Sequence, residues 1–347
     1  MILPLRRPAR IKQLFAAAAL TGIAWAGPAA ADGEVNIYSL RQEVLIKPLL
    51  DKFAEAEKVK VNIVFVRDGL IERLKSEGAN SPADVILTVD VANLIQARAA
   101  DAFRAIKDAE LEKSIPAQYR DPQGYWFGLS VRARPIIYSN ERVKPEQLST
   151  YADLADPKWK GKVCVRSSTH TYNLGMLSSF IAHDGAAKAE AWAKGFVANF
   201  ARAPKGGDRD QIAAVAAGEC DVALSNHYYL AGLATSANEK DREVASKVRV
   251  FWPDQQKHGV HVNVSGAGIA KNAKNYANAV KLLRFLAGET AQKMYAESVK
   301  EYPVRAGVPP HAVVAAWGPF KADKLPLAEI GKHNPESVKI ADRAGWR

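Results

Sequence analysis

The stretch GLSVRARPIIYS, residues 128–139, is mostly apolar and is long enough for an extended strand. A similar run, HVNVSGAGIA, occupies residues 261–270. We interpret the first run as a strand that leaves one lobe of the protein, and the second as the strand that returns to it. Two crossings between the lobes predict a hinge, and hinged lobes are typical of proteins that close around a ligand.

Strands and helices alternate before the first crossing. Residues 35–39, 59–66 and 83–89 are predicted strands, and residues 43–58 and 68–78 place apolar side chains at helical spacing. The residues between the two crossings follow a similar pattern. This alternation predicts an α/β architecture with a mainly parallel sheet in each lobe.

The length of the chain also favours two lobes. Without residues 1–31, about 316 of the 347 residues remain, which exceeds the size at which a single core usually keeps growing. We expect an N-terminal lobe formed by residues 32–132 and 262–347, and a C-terminal lobe formed by residues 133–261. The C-terminal helices are expected to pack partly on the other lobe.

Residues 1–31 have the pattern of a secretory signal peptide. Four basic residues precede an apolar run at 14–26, and three alanines follow at 29–31. The apolar run is short for a membrane span. The pattern predicts export to the periplasm and a mature chain that begins near Asp32.

The net charge is moderate after this cleavage, since loss of the four basic residues lowers it from +11 to +7. No basic run of five or more residues is present, and basic residues alternate with acidic ones along the predicted helices. A solvated surface is therefore favoured over nucleic-acid binding. We expect a monomer.

Enzyme signatures are absent from the sequence. It contains no G-x-G-x-x-G after a strand, no phosphate-binding G-x-x-x-x-G-K, no H-E-x-x-H and no G-x-S-x-G. The nearest case, residues 265–268, lacks the third glycine and is better interpreted as close backbone packing near the hinge. The sequence therefore predicts a binding protein and not an enzyme.

Cys164 and Cys220 are the only cysteines, and each lies in a short apolar run. An even number of cysteines in an oxidising compartment favours a disulfide, with two free buried thiols as the alternative. A bridge would close a loop of 56 residues and contribute about 3 to 4 kcal/mol on the loop-entropy model.

Four tyrosines lie at or just past the ends of predicted strands, where ligands bind in open α/β sheets. They are Tyr38, Tyr172, Tyr228 and Tyr229. An adjacent pair such as Tyr228 and Tyr229 is more often core packing than a site, so the pair alone does not decide the function.

Five segments together resemble the periplasmic ferric-iron-binding proteins of ABC transporters, over essentially the whole mature chain. They are VNIYSLRQ (35–42), GLSVRARPIIYS (128–139), SSTHTYN (167–173), CDVALSNHYYLAGL (220–233) and EYPVRAGV (301–308). The resemblance implies the two-lobed type II periplasmic binding fold, with Tyr38, Tyr172, Tyr228 and Tyr229 as ligands of Fe3+. It also implies an inner-membrane ABC permease as partner. Many such proteins have a histidine before the first tyrosine, where this chain has Ile37.

The chemistry agrees with that resemblance. Fe3+ is a hard cation that prefers oxygen donors, and its charge stabilises phenolates that are otherwise protonated at neutral pH. Four phenolates would leave one negative charge, which Arg41 and Arg134 are predicted to offset. In the family, the arginine at the position of Arg134 binds an anion such as carbonate, a task that suits a guanidinium.

Neighbouring polar residues have two interpretations each. Ser168 and Thr169 could donate hydrogen bonds to the anion or could cap the following helix. His170 and His227 lie beside the predicted ligands but not at ligand positions of the family. The same fold could also bind an oxyanion, a polyamine or a vitamin, and an exported enzyme is the more distant alternative.

Overall fold

The structure is a computed structural model that describes residues 33–66 and 69–347. The predicted signal peptide lies outside the described residues. Among the residues that are described, no helix is both long and apolar enough to cross a membrane.

Eleven strands and thirteen α-helices form the described part of the chain. The strands are β1 (Glu34–Ser39), β2 (Lys60–Phe65), β3 (Val85–Thr88), β4 (Phe103–Arg104), β5 (Phe127–Ala133), β6 (Ile136–Ser139), β7 (Val163–Cys164), β8 (Val222–Leu224), β9 (Val248–Phe251), β10 (Val262–Ala270) and β11 (Tyr302–Pro303). The helices are α1 (Glu43–Glu57), α2 (Leu70–Glu77), α3 (Val91–Ala99), α4 (Ala109–Ser114), α5 (Thr171–Asp184), α6 (Ala186–Ala198), α7 (Asp208–Ala217), α8 (His227–Ala234), α9 (Glu239–Ser246), α10 (Tyr276–Ala287), α11 (Glu289–Met294), α12 (Ala312–Ala315) and α13 (Leu327–Arg343).

The strands form two sheets. The first has the order β11-β5-β10-β3-β1-β2, with β4 also paired to β10, and the second has the order β7-β8-β6-β9. Parallel pairing joins β1 to β2 and β3, and β7 to β8. The strands at the crossings, β5, β6 and β10, pair in antiparallel fashion. The sheets are therefore mixed, and the prediction of mainly parallel sheets applies only to the strand–helix–strand units.

The predicted long strand at 128–139 is two strands, each in a different sheet. It breaks at Arg134 and Pro135, because proline lacks a backbone N–H and disfavours a continued ladder. The Arg134 amide donates to the carbonyl of His261, 3.1 Å away, just before β10 begins. The two crossings therefore lie side by side.

Each sheet carries its own apolar core. One buried cluster surrounds the first sheet, and two further clusters cover the faces of the second. At the C-terminus, Trp346 packs against Phe196, with ring centroids 5.2 Å apart, in the core of the second sheet. The lobe boundaries, 32–132 with 262–347 and 133–261, and the packing of the C-terminal helices on the other lobe stay predictions.

The glycines of β10 permit close backbone packing near the crossing. A Cβ atom at Gly266 would lie 2.6 Å from the carbonyl oxygen of Phe127, closer than real contacts allow. The interpretation of residues 265–268 as a packing feature is in agreement with this geometry.

Candidate functional site

Three of the four predicted tyrosines meet at one edge of the second sheet. Tyr172 lies in the first turn of α5, which follows β7, and Tyr228 and Tyr229 lie in the first turn of α8, which follows β8. Because β7 and β8 are parallel neighbours, both helices begin at the same edge. The hydroxyl oxygens of Tyr172 and Tyr228 are 3.1 Å apart, and the rings of Tyr228 and Tyr229 are 4.3 Å apart. We call these three residues the tyrosine cluster.

The disulfide predicted from the sequence is confirmed and lies below this cluster. Cys164 ends β7 and Cys220 precedes β8, and their sulfur atoms are bonded across a sequence separation of 56 residues. The bridge joins the two segments that carry the tyrosines. It therefore limits how far the start of α5 can move from the start of α8.

Three arginines surround the ring of Tyr172. The guanidinium carbons of Arg132, Arg166 and Arg134 lie 5.0, 5.5 and 5.9 Å from its centroid. Arg134 and Arg166 share Asp208, at 3.0 and 3.3 Å, whereas Arg132 has Asp90 at the longer distance of 3.6 Å. Three guanidiniums and two carboxylates therefore surround the ring of Tyr172.

Sequence reasoning singled out Arg134 and missed Arg132. Both lie in the crossing segment, two residues apart, and alternate side chains of an extended chain point to the same side. That spacing is the signal that could have identified Arg132.

Burial keeps the phenols of Tyr228 and Tyr229 protonated in the absence of a cation. It raises the pKa of Tyr228 well above its ordinary value, and the neighbouring phenols of Tyr172 and Tyr229 raise it further, while Arg132 lowers it. Burial and Tyr172 likewise raise the pKa of Tyr229. A cation that binds here must therefore displace protons, which favours a highly charged ion.

Tyr38 does not join the tyrosine cluster. Its hydroxyl donates to Glu77 at 2.8 Å and accepts from Arg73 at 3.0 Å, and it is 1 % exposed. Both partners lie on α2, so the ring occupies the face of β1 that α2 covers. The prediction that Tyr38 is a metal ligand is not supported by this geometry, and we leave Tyr38 out of the proposed ligand set.

Arg41 is buried but pairs with Glu301 and not with the tyrosine cluster. The two side chains lie 2.8 Å apart, and Ser130 also donates to the same carboxylate. Burial alone would raise the pKa of Glu301, but the guanidiniums of Arg41 and Arg132 hold it below its ordinary value. The Glu301 carboxylate therefore interacts electrostatically with both Arg132 and Arg41, the residue predicted to offset the charge of the phenolates.

Ser168 and Thr169 differ in their surroundings. The buried Ser168 hydroxyl donates to the carbonyl of Trp346 near the C-terminus, so it is not available to an anion in this conformation. Thr169 is exposed and lies 3.0 Å from the hydroxyl of Ser167. Thr169 also lines a cavity of about 660 Å³ next to the start of α5, together with Leu40, Gly69, Asn93, Gln96 and His170.

Both histidines beside the cluster support the backbone. His170 is the N-cap of α5 and accepts from the amide of Tyr172 at 3.3 Å. His227 lies 3.0 Å from the carbonyl of Lys300 and 3.2 Å from the amide of Ala133. Burial lowers the pKa of His170 to about 3 and that of His227 to about 4, so both are neutral at pH 7.

The ligand atoms that the cluster could offer to a metal are phenol oxygens. Within residues 33–66 and 69–347, no group of three or more histidine, cysteine, aspartate or glutamate side chains is arranged to hold a metal ion. Any metal bound at the cluster would therefore depend on phenolate oxygens.

Comparisons with known proteins agree with this picture. Residues 49–322 match the family model described as "Bacterial extracellular solute-binding protein". The chain is 47% identical to iron uptake protein A1 of Synechocystis sp., over 90% of this chain and 88% of that protein. It is 27% identical to the Fe(3+)-binding periplasmic protein of Serratia marcescens, over 91% and 92% of the two chains.

A solved structure shares the fold. A Trichodesmium protein in complex with iron and citrate superposes with a TM-score of 0.86 at 47% identity, covering 91% of this chain and all of that chain. The similarity confirms the predicted two-lobed type II periplasmic binding fold. These relatives are binding proteins, in agreement with the prediction that the chain is not an enzyme.

Proposed function

The chain belongs to the family of bacterial extracellular solute-binding proteins, and we propose that it captures Fe3+ in the periplasm through the tyrosine cluster and delivers it to an ABC-type importer. The observation that carries this proposal is the convergence of Tyr172, Tyr228 and Tyr229 below a group of arginines. Relatives named for iron uptake and for Fe(3+) binding support the choice of cargo.

The buried charges suit a trivalent ion. Three phenolates would balance the charge of Fe3+, so the bound centre would be neutral by itself. Around it, Arg132, Arg134 and Arg166 pair with two carboxylates, Asp90 and Asp208, which leaves one positive charge. The charge balance therefore favours one further anionic ligand, such as carbonate or citrate, in addition to the three tyrosines.

Capture couples metal binding to deprotonation. Since burial keeps the phenols of Tyr228 and Tyr229 neutral in the empty protein, each that coordinates the ion must lose its proton. Affinity for Fe3+ should then fall as the pH falls. Protonation, reduction to Fe2+ or forced opening of the lobes at the importer would each favour release.

Lobe closure would complete the site. The cavity beside α5 is bordered by residues of the first sheet's lobe, including Leu40 and Gln96, and by Thr169 and His170 from the second. We propose that the ion, its anion or water contacts the first lobe only in the closed state, so that binding selects closure. We propose that export through the predicted signal peptide brings this cycle to the periplasm.

Absorption spectroscopy of the purified mature protein tests the proposal. Addition of Fe3+ to the iron-free protein should produce a visible phenolate-to-iron charge-transfer band that is absent from the variant Tyr228→Phe with Tyr229→Phe. Tyr138→Phe, a change at a tyrosine of β6 outside the cluster, is the matched control and should retain the band. Absence of the band in the unmodified protein would contradict the proposal.

A further inference from the structure

A second cavity, of about 470 Å³, lies between α5, α6 and the segment that precedes β10. Its lining includes none of the tyrosine cluster. The volume falls within the range of sites for small organic molecules, which is roughly 300 to 1,000 Å³, and is far larger than a single ion requires.

One wall of this cavity is aromatic and fixed in place. The indole of Trp192 donates to the carbonyl of Tyr151 at 2.8 Å. Phe180 meets Trp192 edge to face, with centroids 4.8 Å apart. Such a wall offers apolar surface and, through the faces of the rings, a favourable environment for a cation.

A carboxylate outside any ion pair lies in the same lining. Asp254 is half-buried, and no described lysine, arginine or histidine nitrogen lies within 4.0 Å of its carboxylate, although Lys257 and His258 are near enough to lower its pKa. Burial raises the pKa of Asp254 to about 6, a sign that its charge is poorly compensated. A bound cation would supply that compensation.

Two histidines of the cavity form a stacked pair. The rings of His183 and His258 stack at 3.7 Å with an angle of 13°, and His183 lies 2.8 Å from Asp323. The stack extends the flat ring surface of the lining.

The charge of the lining is opposite to that of the whole chain. Counted over its aspartates and lysines, the lining has one negative charge in excess: Asp184, Asp254 and Asp323 against Lys188 and Lys257. The mature chain carries an excess of basic residues. The lining therefore favours a cationic ligand. The two lysines are exposed, so their side chains can move away from the cavity when such a ligand binds.

We propose that this cavity is a second binding site, specific for a small organic ammonium ion whose hydrocarbon part packs on Trp192 and Phe180 and whose charge pairs with Asp254. The site is independent of iron. The wall of the cavity also contains Tyr151. Its hydroxyl donates to the carbonyl of Arg134 at 2.6 Å and accepts from the amide of His261 at 3.2 Å, so it contacts both crossing segments. A ligand in the cavity would therefore contact a residue that is hydrogen-bonded to both crossings.

Isothermal titration calorimetry on the iron-free mature protein tests this site with three probes of similar shape. Phenethylammonium should bind with one site per chain at pH 7.5. The neutral 2-phenylethanol and the anionic 3-phenylpropionate should bind at least about tenfold more weakly, because neither offers a charge-assisted hydrogen bond to Asp254. Equal binding of the alcohol, tighter binding of the carboxylate or no saturable heat with the ammonium would each overturn the proposal.

Variants locate the site. Asp254 has a φ of +58°, a conformation that asparagine adopts readily, so Asp254→Asn should fold and should weaken phenethylammonium about tenfold. Lys188→Gln, an exposed change, should tighten it about twofold to threefold by removing a like charge. Asp51→Asn, at an exposed aspartate of α1, should leave the affinity unchanged.

Circular dichroism should confirm the fold of each variant. If Asp254→Asn does not fold, Lys188→Gln decides the matter alone, and a weaker or unchanged affinity in that variant would contradict the proposal. Equal weakening by Asp51→Asn would show that the effect comes from overall charge, and would contradict it as well.

Discussion

Tyr38 and Tyr172 occupy similar positions in the two sheets but different chemical environments. Each lies near the carboxyl end of a strand, and each has an arginine over its ring, Arg73 at 4.4 Å and Arg132 at 5.0 Å. The hydroxyl of Tyr38 is saturated by Glu77 and Arg73, whereas that of Tyr172 meets another phenol.

The comparison teaches that a nearby arginine does not make a tyrosine a candidate ligand. Burial raises the pKa of Tyr38, and the hydrogen bond to Glu77 raises it further because a carboxylate opposes a second negative charge. A metal would have to break that pair. At the tyrosine cluster the hydroxyls contact one another, so a cation can replace protons without the loss of an ion pair.

The largest expected effect separates these two tyrosines directly. Tyr172→Phe should lower the affinity for Fe3+ at least about a thousandfold, since residues behind a ligand already contribute ten- to a hundredfold and a direct ligand should exceed that. Tyr38→Phe should change it by less than about threefold. Competition with a chelator, followed by absorbance, measures both. A comparable loss in both variants would return Tyr38 to the ligand set.

The second difference between the surroundings of Tyr172 and Tyr38 is the disulfide. It links the segments that lead into α5 and α8, whereas β1, which carries Tyr38, has no disulfide. Replacement of both cysteines by serine should lower the free energy of unfolding by about 4 kcal/mol, because the closed loop restricts the unfolded chain. Urea denaturation of the iron-free protein measures this. Reduction of the unmodified protein should give a similar loss, and a loss below about 1 kcal/mol would contradict the expectation.

The two arginines should also differ in their effect on iron. Arg132→Gln should weaken Fe3+ binding about tenfold to a hundredfold, because the buried guanidinium lies over the ring of Tyr172 and lowers the pKa of Tyr228. Arg73→Gln, the matched change beside Tyr38, should leave the affinity unchanged. Circular dichroism should show that both variants fold. Equal affinities in the two variants would remove the distinction between the two environments.

The smallest expected effect is on stability and concerns Asp254. Glu77, the carboxylate beside Tyr38, forms an ion pair with Arg73, whereas Asp254 forms none. Burial raises its pKa from 3.8 to about 6 in the folded protein, so its charge destabilises the fold above pH 6, and this cost disappears as the pH falls toward 4. Asp254→Asn should therefore raise the free energy of unfolding by about 1 kcal/mol at pH 7.5, a value reduced for its partial exposure. The difference from the unmodified protein should vanish near pH 4. Urea denaturation at both pH values measures it, and a constant difference would contradict the assignment.

Much of the fold was predictable from local patterns. Alternating strand and helix signals, the two apolar runs at 128–139 and 261–270, and the paired cysteines predicted two α/β units, their crossings and the disulfide. The break at Pro135 could have been predicted as well, because a proline interrupts a strand ladder wherever it lies. Three of the four predicted tyrosines meet in the structure for a related reason: parallel strands bring their carboxyl ends to one edge.

The sequence by itself determined that several tyrosines lie at strand ends, that two cysteines lie within apolar strand-like runs, and that the crossing segment carries two arginines. Only the tertiary structure decided which hydroxyls meet and which are already paired. Glu77 and Arg73 reach Tyr38 because α2 packs on that face of β1, a contact between residues more than thirty positions apart. Local patterns set the position of a side chain along its element, whereas the packing of distant elements sets its neighbours, and the neighbours fix its charge.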